Sequence, residues 1–204
     1  MATVQTDAVK LLAQRILDIG YEDLPARERH VIERVANRLA VSRNIVQADQ
    51  HVRSQAWLQV PMPLGRKVSG ARLGIVGMGR IGQTIARRAQ AFDMPISYTA
   101  RSAKPELTSC TFVSSVEALA AQVDYLVVIT PGGAATRKMI NAQVLKALGP
   151  QGYLINVARG SVVDEQALIE ALQRGEIAGA GLDVFEAEPS VPEALRTNPR
   201  VVLT

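Results

Sequence analysis

The sequence has little of the chemistry that binds metals, forms disulfides or stacks on nucleic-acid bases. Its single cysteine, Cys110, excludes an intrachain disulfide, and its two histidines, His30 and His51, leave no convincing metal cluster. Aromatic residues make up 4% of the chain and the basic residues are dispersed, which argues against a nucleic-acid surface despite a net charge of +4. We therefore predict no metal and no nucleic-acid partner.

Long apolar runs are also missing. No segment approaches the roughly 18 uninterrupted apolar residues of a membrane helix. The N-terminus lacks an apolar core followed by a small-residue cleavage site. Hydrophobic residues nevertheless make up 48% of the 204 residues, a share typical of globular proteins. We expect a soluble, cytoplasmic protein with no membrane partner.

A glycine-rich run at residues 73–82 is the most informative feature that is present. Gly77 permits a tight turn after a strand, Gly79 admits a pyrophosphate close to the backbone, and Gly82 lets a helix pack against the strand. The N-terminus of that helix would offer free N–H groups and a positive dipole end to an anion. The pattern predicts a phosphate cradle.

The flanks of this run decide between a cradle and an ordinary turn, because the hexapeptide alone fits both. Before it, residues 72–76 have the apolar composition of a buried parallel strand. After it, apolar residues recur at helical spacing: Ile81, Ile85, Ala89 and Phe92. This order of strand, turn and helix is the context that dinucleotide binding requires.

From residue 71 onward, short apolar runs alternate with helical patterns. The expected strands are residues 73–76, 96–99, 125–129, 153–157, 178–184 and 201–203, and the expected helices are residues 81–92, 116–122, 142–148 and 165–174. Asn141 and Asp164 are expected to cap the last two helices. The alternation predicts an α/β protein with a Rossmann-type doubly wound parallel sheet. Its ligands would lie at the carboxyl ends of the strands, near Gly77, Ala100, Thr130, Arg159 and residues 183–188.

The N-terminal part of the chain has a different pattern, and we expect a helical extension over residues 1–35. Apolar spacing predicts one helix over residues 9–19, ended by Gly20, and a second helix over residues 31–39. Residues 60–65 contain two prolines and a glycine, which favour an extended connection into the first strand.

Several motifs resemble the D-isomer-specific 2-hydroxyacid dehydrogenases, most closely their glyoxylate, hydroxypyruvate and hydroxyphenylpyruvate reductase branch. They are Ala-Asp-Gln-His-Val-Arg at residues 48–53 leading to Trp57, the glycine run at 77–82, Asn-Val-Ala-Arg-Gly at 156–160, and Gly-Leu-Asp-Val-Phe-Glu-Ala-Glu-Pro at 181–189. The resemblance implies an NAD(P)-binding domain over residues 36–204, in which residues 36–65 form a dimerisation helix and arm.

The resemblance implies hydride transfer between a nicotinamide cofactor and a small 2-oxo or 2-hydroxy acid, such as hydroxypyruvate or glyoxylate. Arg159 would hold the substrate carboxylate and Glu188 would support an imidazole acid. The residues implied to bind the cofactor are Gly77, Gly79, Arg80, Ile81, Gly82, Arg101, Ser102, Thr130, Pro131, Val157, Ala158 and Asp183, the last at the nicotinamide amide. Taken singly, three of these side chains also fit plain structural roles: a surface ion pair for Arg159, a loop carboxylate for Glu188 and a turn cap for Asp183.

The residues after the second strand bear on the choice of cofactor. NAD enzymes usually have an acid there, about 20 residues beyond the glycines, which binds the ribose 2′-hydroxyl. Here the chain has Ala100, Arg101 and Ser102, with Lys104 close behind. Without a carboxylate to repel it, a 2′-phosphate would find charge and hydrogen bonds at these positions. We predict a preference for NADP(H) over NAD(H), the alternative being an exposed loop arginine without a role.

The chain also departs from the family pattern. Residues 1–35 match no part of the family's substrate lobe. In the family, the histidine that donates the proton follows the strand that corresponds to residues 201–204, where this chain ends. We therefore expect a truncated dehydrogenase that keeps the cofactor fold and is inactive by itself, or a dinucleotide-binding interaction or regulatory module without turnover. We also expect a homodimer, because Trp57, Leu58, Val60 and Met62 would otherwise expose apolar surface.

Overall fold

Seven parallel strands form one sheet in the computed structural model, which describes residues 40–204. The helices expected within residues 1–39 lie outside the described residues. The strands are β1 (Leu73–Val76), β2 (Ile96–Thr99), β3 (Cys110–Phe112), β4 (Tyr125–Val128), β5 (Tyr153–Asn156), β6 (Gly179–Leu182) and β7 (Val201–Leu203). Their order is β3-β2-β1-β4-β5-β6-β7, which confirms the predicted Rossmann-type sheet and places its switch point between β1 and β4.

Helices cover both faces of the sheet. They are α1 (Ile45–Arg53), α2 (Arg80–Gln90), α3 (Val116–Ala120), α4 (Ala142–Leu148), α5 (Glu165–Arg174) and α6 (Glu193–Arg196). Tyr125 and Val127 of β4 face the core that α2 covers, whereas Leu126 and Val128 face the core that α3, α4 and α5 cover. This alternation follows from the two-residue repeat of a strand that is buried on both sides.

Three helices begin at side-chain caps: Ser115 caps α3, a cap that the sequence did not predict, and Asn141 and Asp164 cap α4 and α5, as predicted. Asn141 Oδ1 accepts hydrogen bonds from the backbone N–H groups of Gln143 at 3.0 Å and Val144 at 3.1 Å. Asp164 Oδ1 accepts one from the N–H of Ala167 at 3.4 Å. Each cap satisfies N–H groups that have no acceptor within the helix.

The sequence does not predict β3 or α6. β3 is three residues long and lies at the edge of the sheet, where Thr111 and Phe112 are exposed, so it lacks an apolar run. α6 is a single turn. The prediction is also too long for β6, because Asp183 and Val184 leave the sheet to begin the loop at its carboxyl edge.

The amino edge of the sheet carries a buried acid, Asp124. It accepts hydrogen bonds from the backbone N–H of Arg72 at 2.8 Å, from Arg72 Nε at 3.1 Å and from Arg66 Nη2 at 3.0 Å. Hydrogen bonds from Arg72 hold the pKa of Asp124 below its ordinary value, the charges of Arg72 and Arg66 act in the same direction, and burial opposes them. Arg66 also donates to the carbonyl of Gln151, so it connects the start of β4 to the loop before β5.

An arm, residues 54–65, follows α1 and runs towards β1. His51 Nε2 lies 2.8 Å from the carbonyl oxygen of Val60, so the arm folds back along α1. Trp57, Leu58 and Leu64 are 68%, 85% and 95% exposed, so the arm presents large apolar side chains to solvent. No helix within residues 40–204 is long and apolar enough to span a membrane.

Candidate functional site

The turn after β1 lies at the carboxyl edge, between the ends of β2 and β4. Gly77 has a φ of 103°, which favours glycine, and its N–H donates to the carbonyl of Thr99 at 3.0 Å. A Cβ on Gly77 would lie 3.0 Å from both Ile129 O and Thr130 N. A glycine is therefore needed both for the turn and for the close approach of the chain that leaves β4.

Gly79 and Gly82 shape the first turn of α2. A Cβ on Gly82 would lie 2.2 Å from the carbonyl oxygen of Gly77, so a larger residue would push α2 away from the turn. A Cβ on Gly79 would meet no atom within 4 Å, and Gly79 provides no side-chain cap. The N–H groups of Arg80 and Ile81 have no acceptor within the helix. Open space, free N–H groups and the absence of an acid in this turn fit an anionic ligand.

β2 ends in an exposed basic loop. Arg101 and Ser102 are exposed, and within residues 40–204 neither side chain makes an intramolecular hydrogen bond or ion pair. The backbone N–H of Lys104 donates to the hydroxyl of buried Tyr98 at 2.7 Å. The loop therefore presents a guanidinium and a hydroxyl group to solvent from a backbone that is anchored to β2.

The loop after β4 begins at Thr130 and Pro131. Thr130 is half-buried and Pro131 is exposed, and the carbonyl of Pro131 accepts a hydrogen bond from Thr136 Oγ1 at 2.8 Å. Further along, the N–H of Lys138 donates to the carbonyl of Ser161 at 2.8 Å. The loop after β4 is therefore joined to the loop after β5, at the same edge as the glycine turn.

Asn156 ends β5 and organises the residues that follow it. Its side chain is buried, its Oδ1 accepts from the N–H of Ala158 at 3.1 Å, and its Nδ2 donates to the carbonyl of Arg159 at 3.1 Å. Val157 and Ala158 are buried, whereas Arg159 is exposed. Arg159 Nη1 donates to Ala158 O at 2.6 Å, and Arg159 makes no ion pair with any residue that the structure describes. The surface ion pair is therefore not seen.

The loops after β5 and β6 are in direct backbone contact. A Cβ on Gly160 would lie 1.8 Å from the carbonyl oxygen of Phe185, so only glycine permits this approach. The N–H of Asp183 donates to the carbonyl of Asn156 at 3.1 Å. The structure therefore brings Asp183 to the same edge as Arg159, in loops that follow neighbouring strands.

Glu188 is exposed and interacts with its own loop. Its Oε1 accepts a hydrogen bond from the N–H of Phe185 at 2.9 Å, the contact expected of a loop carboxylate. The structure does not join Glu188 to Arg159 in an ion pair. The remaining carboxylate oxygen of Glu188 has no partner among residues 40–204.

Asp183 contacts the residue that follows β7: its Oδ1 accepts a hydrogen bond from Thr204 Oγ1 at 3.3 Å.

His51 is the one histidine within the described range, and it does not lie with Arg159, Asp183 and Glu188 at the carboxyl edge. It sits on α1, where it lines a small apolar recess with Ala48, Val52, Trp57 and Met62. Residues 40–204 contain no group of three or more His, Cys, Asp or Glu side chains placed to bind a metal.

Sequence reasoning missed three residues that shape the site. Asn156 and Gly160 hold the backbone around Arg159, and Tyr98 holds the loop around Arg101. A signal existed for the first two, because they flank Arg159 within the motif at residues 156–160. Tyr98 carried none, because an aromatic residue on a buried strand usually serves packing alone.

The family model for the NAD-binding domain of the D-isomer-specific 2-hydroxyacid dehydrogenases matches residues 35–204. The chain belongs to this family. The match includes every strand and helix described above and confirms the predicted resemblance.

Known members of the family show the extent of the likeness. The chain is 52% identical over 165 residues to a hydroxyphenylpyruvate reductase of Plectranthus scutellarioides and 46% identical over 169 residues to a 2-ketogluconate reductase of Gluconobacter oxydans. These matches cover 81% and 83% of this chain but 52% and 54% of the relatives, so the chain spans about half the length of the curated relatives.

A solved structure gives the same extent of likeness. The NADPH-dependent glyoxylate/hydroxypyruvate reductase of Sinorhizobium meliloti, in complex with NADP and malonate, is 47% identical to this chain and superposes with a TM-score of 0.82. The match covers 86% of this chain and 56% of that one. The chain therefore shares its fold with about half of that reductase.

Proposed function

We propose that residues 40–204 bind a nicotinamide dinucleotide, and that the protein they belong to reduces small 2-oxo acids such as hydroxypyruvate or glyoxylate. One arrangement carries the proposal: the glycine turn, Arg159 and Asp183 lie at the carboxyl edge of one parallel sheet, in the loops that follow β1, β5 and β6. Ligands bind at that edge in such sheets, next to the switch point. The names of the relatives, which are reductases of 2-oxo acids, support the substrate class.

The roles of the cofactor-binding residues follow from their positions. The N–H groups at the start of α2 would hold a pyrophosphate, and bound dinucleotide would supply the hydride. The residues proposed to form this part of the site are Gly77, Gly79, Arg80, Ile81, Gly82, Thr130, Pro131, Val157 and Ala158. Asp183 is proposed to accept a hydrogen bond from the nicotinamide amide.

Arg159 and Glu188 are proposed to act on the substrate side. The guanidinium of Arg159 can hold a 2-oxo carboxylate with two directional, charge-assisted hydrogen bonds and draw electron density from the adjacent carbonyl. A carboxylate beside an imidazole favours the protonated ring, which can then deliver a proton near neutral pH. Glu188 would take this part with its second oxygen while Phe185 N–H holds the first.

A preference for NADP(H) over NAD(H) is proposed from the loop after β2. Arg101 and Ser102 are exposed, and their side chains have no competing partners within residues 40–204. Residues 99–105 contain no acid, and the next one, Glu106, pairs with Lys104 at 4.0 Å. A 2′-phosphate could therefore accept hydrogen bonds from both side chains without repulsion. The alternative, an exposed loop arginine without a role, predicts equal affinity for the two cofactors.

A second function, nucleotide binding without turnover, is favoured by one observation. His51 lies on α1 and its Nε2 contacts the carbonyl oxygen of Val60 in the arm. No imidazole of residues 40–204 therefore lies beside Arg159 and Glu188. We propose that these residues bind cofactor, and that turnover needs an imidazole supplied from outside them. Measurable reduction of hydroxypyruvate or glyoxylate by residues 40–204 alone would contradict this division.

A homodimer is proposed from the arm. Trp57, Leu58 and Leu64 expose apolar surface of the kind that monomers usually avoid, and a second copy of the chain would cover it. Light scattering at micromolar concentration should give twice the chain mass, whereas a monomer would contradict the proposal. The cytoplasm is the proposed compartment, consistent with a chain that has a single cysteine and no disulfide.

Calorimetric titration of the chain with NADPH and, separately, NADH tests the proposal first. We expect saturable binding of both cofactors, with the lower dissociation constant for NADPH. No binding of either would contradict a dinucleotide site, and equal affinities would contradict the cofactor preference alone.

Two glycine variants separate the cradle from the fold. Gly79→Ala adds a methyl group in open space, so it should leave the fold intact and weaken both cofactors by obstructing the pyrophosphate. Gly82→Ala adds a methyl group 2.2 Å from Gly77 O and should instead lower the free energy of unfolding. Unchanged cofactor affinity in a folded Gly79→Ala chain would place the ligand elsewhere.

A further inference from the structure

We propose that Tyr98 is a positioning residue for cofactor choice, because its hydroxyl fixes the loop that carries Arg101 and Ser102. The inference rests on the proposed function, in which these two side chains bind the 2′-phosphate of NADP(H). Tyr98 is 1% exposed, and its Oη accepts a hydrogen bond from the backbone N–H of Lys104 at 2.7 Å. It touches the loop through that backbone group.

The loop is anchored at two points, with Arg101 and Ser102 between them. At its start, the carbonyl of Thr99 accepts a hydrogen bond from the N–H of Gly77 at 3.0 Å, which ties the end of β2 to the glycine turn. At its end, Lys104 N–H is held by Tyr98. Four residues span the two anchors, so their backbone has little freedom to move relative to the first turn of α2.

The Tyr98 hydroxyl is itself fixed by packing. The Tyr98 ring meets the Phe112 ring of β3 edge to face, with centroids 5.5 Å apart, and belongs to the core beneath α2. A buried ring in this position cannot follow the loop if the loop shifts. Removal of the hydroxyl would leave Lys104 N–H without its acceptor, and the loop would have to move to find another in water.

Cofactor binding reports this effect selectively. A loop that is already in place binds its ligand without an ordering cost, and only the 2′-phosphate distinguishes NADPH from NADH. In Tyr98→Phe we expect the dissociation constant for NADPH to rise about threefold to tenfold, the range expected for one lost hydrogen bond. The dissociation constant for NADH should stay within roughly twofold of the wild-type value.

Two further variants make the test specific. Tyr153→Phe removes a hydroxyl from a half-buried ring at the start of β5, at the amino edge of the sheet. It should change the affinity for neither NADPH nor NADH. Arg101→Ala removes the proposed phosphate ligand. Adding Tyr98→Phe to Arg101→Ala should then have little further effect on NADPH, because the hydroxyl acts through the residues that the loop carries.

The outcomes separate this inference from the proposed function. A wild-type chain that prefers NADPH while Tyr98→Phe keeps the same preference would overturn the role of Tyr98 alone. Equal loss of NADPH and NADH affinity in Tyr98→Phe would also overturn it, since that result indicates a general structural role. A wild-type chain without a preference for NADPH would overturn the cofactor proposal and the role of Tyr98 together.

Discussion

Two glycines at the carboxyl edge, Gly160 and Gly79, illustrate opposite demands on a residue without a side chain. At Gly160 the backbone of Phe185 occupies the place of a Cβ, so glycine serves the fold. At Gly79 that place is open and the φ of −79° suits any residue, so the fold does not need glycine there. Gly160 is therefore explained by a loop contact, whereas Gly79 is left for the proposed ligand to explain.

Gly160→Ala tests the loop contact. The added methyl group would lie 1.8 Å from Phe185 O, so two backbones must separate. We expect the free energy of unfolding to fall by at least about 1–3 kcal/mol, the usual cost of overpacking. Urea denaturation measures it, with Gly79→Ala as the matched control, which should stay within about 1 kcal/mol of wild type. A Gly160→Ala chain of wild-type stability would mean that the two loops part freely.

The sequence predicts residues whose role is local better than residues whose role depends on a distant partner. Gly77 and Gly82 were predictable because the turn and the helix that require them are adjacent in the chain. Asn156 was harder to predict. Its buried side-chain amide bonds the turn that follows it, and its carbonyl accepts a hydrogen bond from the N–H of Asp183, in the loop after β6. Tyr98 was not predictable, because its acceptor role depends on how the following loop folds.

At the scale of elements, prediction succeeded where an apolar run is long enough to be buried. β1 and β4 are buried at every position, and both were predicted from composition alone. β6 reads Gly-Ala-Gly-Leu, and a Cβ on Gly179 would lie 2.6 Å from the carbonyl oxygen of Arg200, so glycine at this position permits close packing against the segment just before β7. The sequence did not predict β3 or α6, because a segment of three or four residues is too short to show a hydrophobic period.

Asn141→Ala tests how much α4 depends on its cap. The variant removes an acceptor from two backbone N–H groups, those of Gln143 and Val144, at the start of a helix of seven residues. We expect a loss of about 0.5–2 kcal/mol in the free energy of unfolding, measured by urea denaturation. Asn141→Asp keeps the acceptor and should retain wild-type stability. An unchanged Asn141→Ala chain would show that packing alone fixes this helix.

At the scale of the whole molecule, the carboxyl and amino edges of the sheet differ in how far their polar side chains are paired. The carboxyl edge presents exposed polar groups that have few partners, such as Arg101 and Arg159. The amino edge holds Asp124 in a nearly complete set of hydrogen bonds from Arg66 and Arg72. The residues that stabilise the amino edge are therefore different from those proposed to bind ligand at the carboxyl edge.

Asp124→Asn tests the stabilising edge through its pH dependence. The folded-state pKa of Asp124 is lower than its ordinary value of 3.8, so its contribution to stability is present above that pH and is lost as the pH falls through the folded-state pKa. At pH 7 we expect the variant to be about 1–3 kcal/mol less stable than wild type. Urea denaturation from pH 7 to pH 3 should show this gap narrowing below about pH 4. A gap that does not change with pH would contradict the ionised role.

The spacing between these edges has an evolutionary consequence. Because the parallel strands all run from the end that holds Asp124 to the end that carries the proposed site, a substitution at Arg101 or Ser102 leaves the hydrogen bonds of Asp124 unchanged. Most changes to a binding surface cost some stability, and a reserve held elsewhere allows them to be tolerated. We therefore expect substitutions that change the proposed recognition at Arg101 or Ser102 to leave the chain folded.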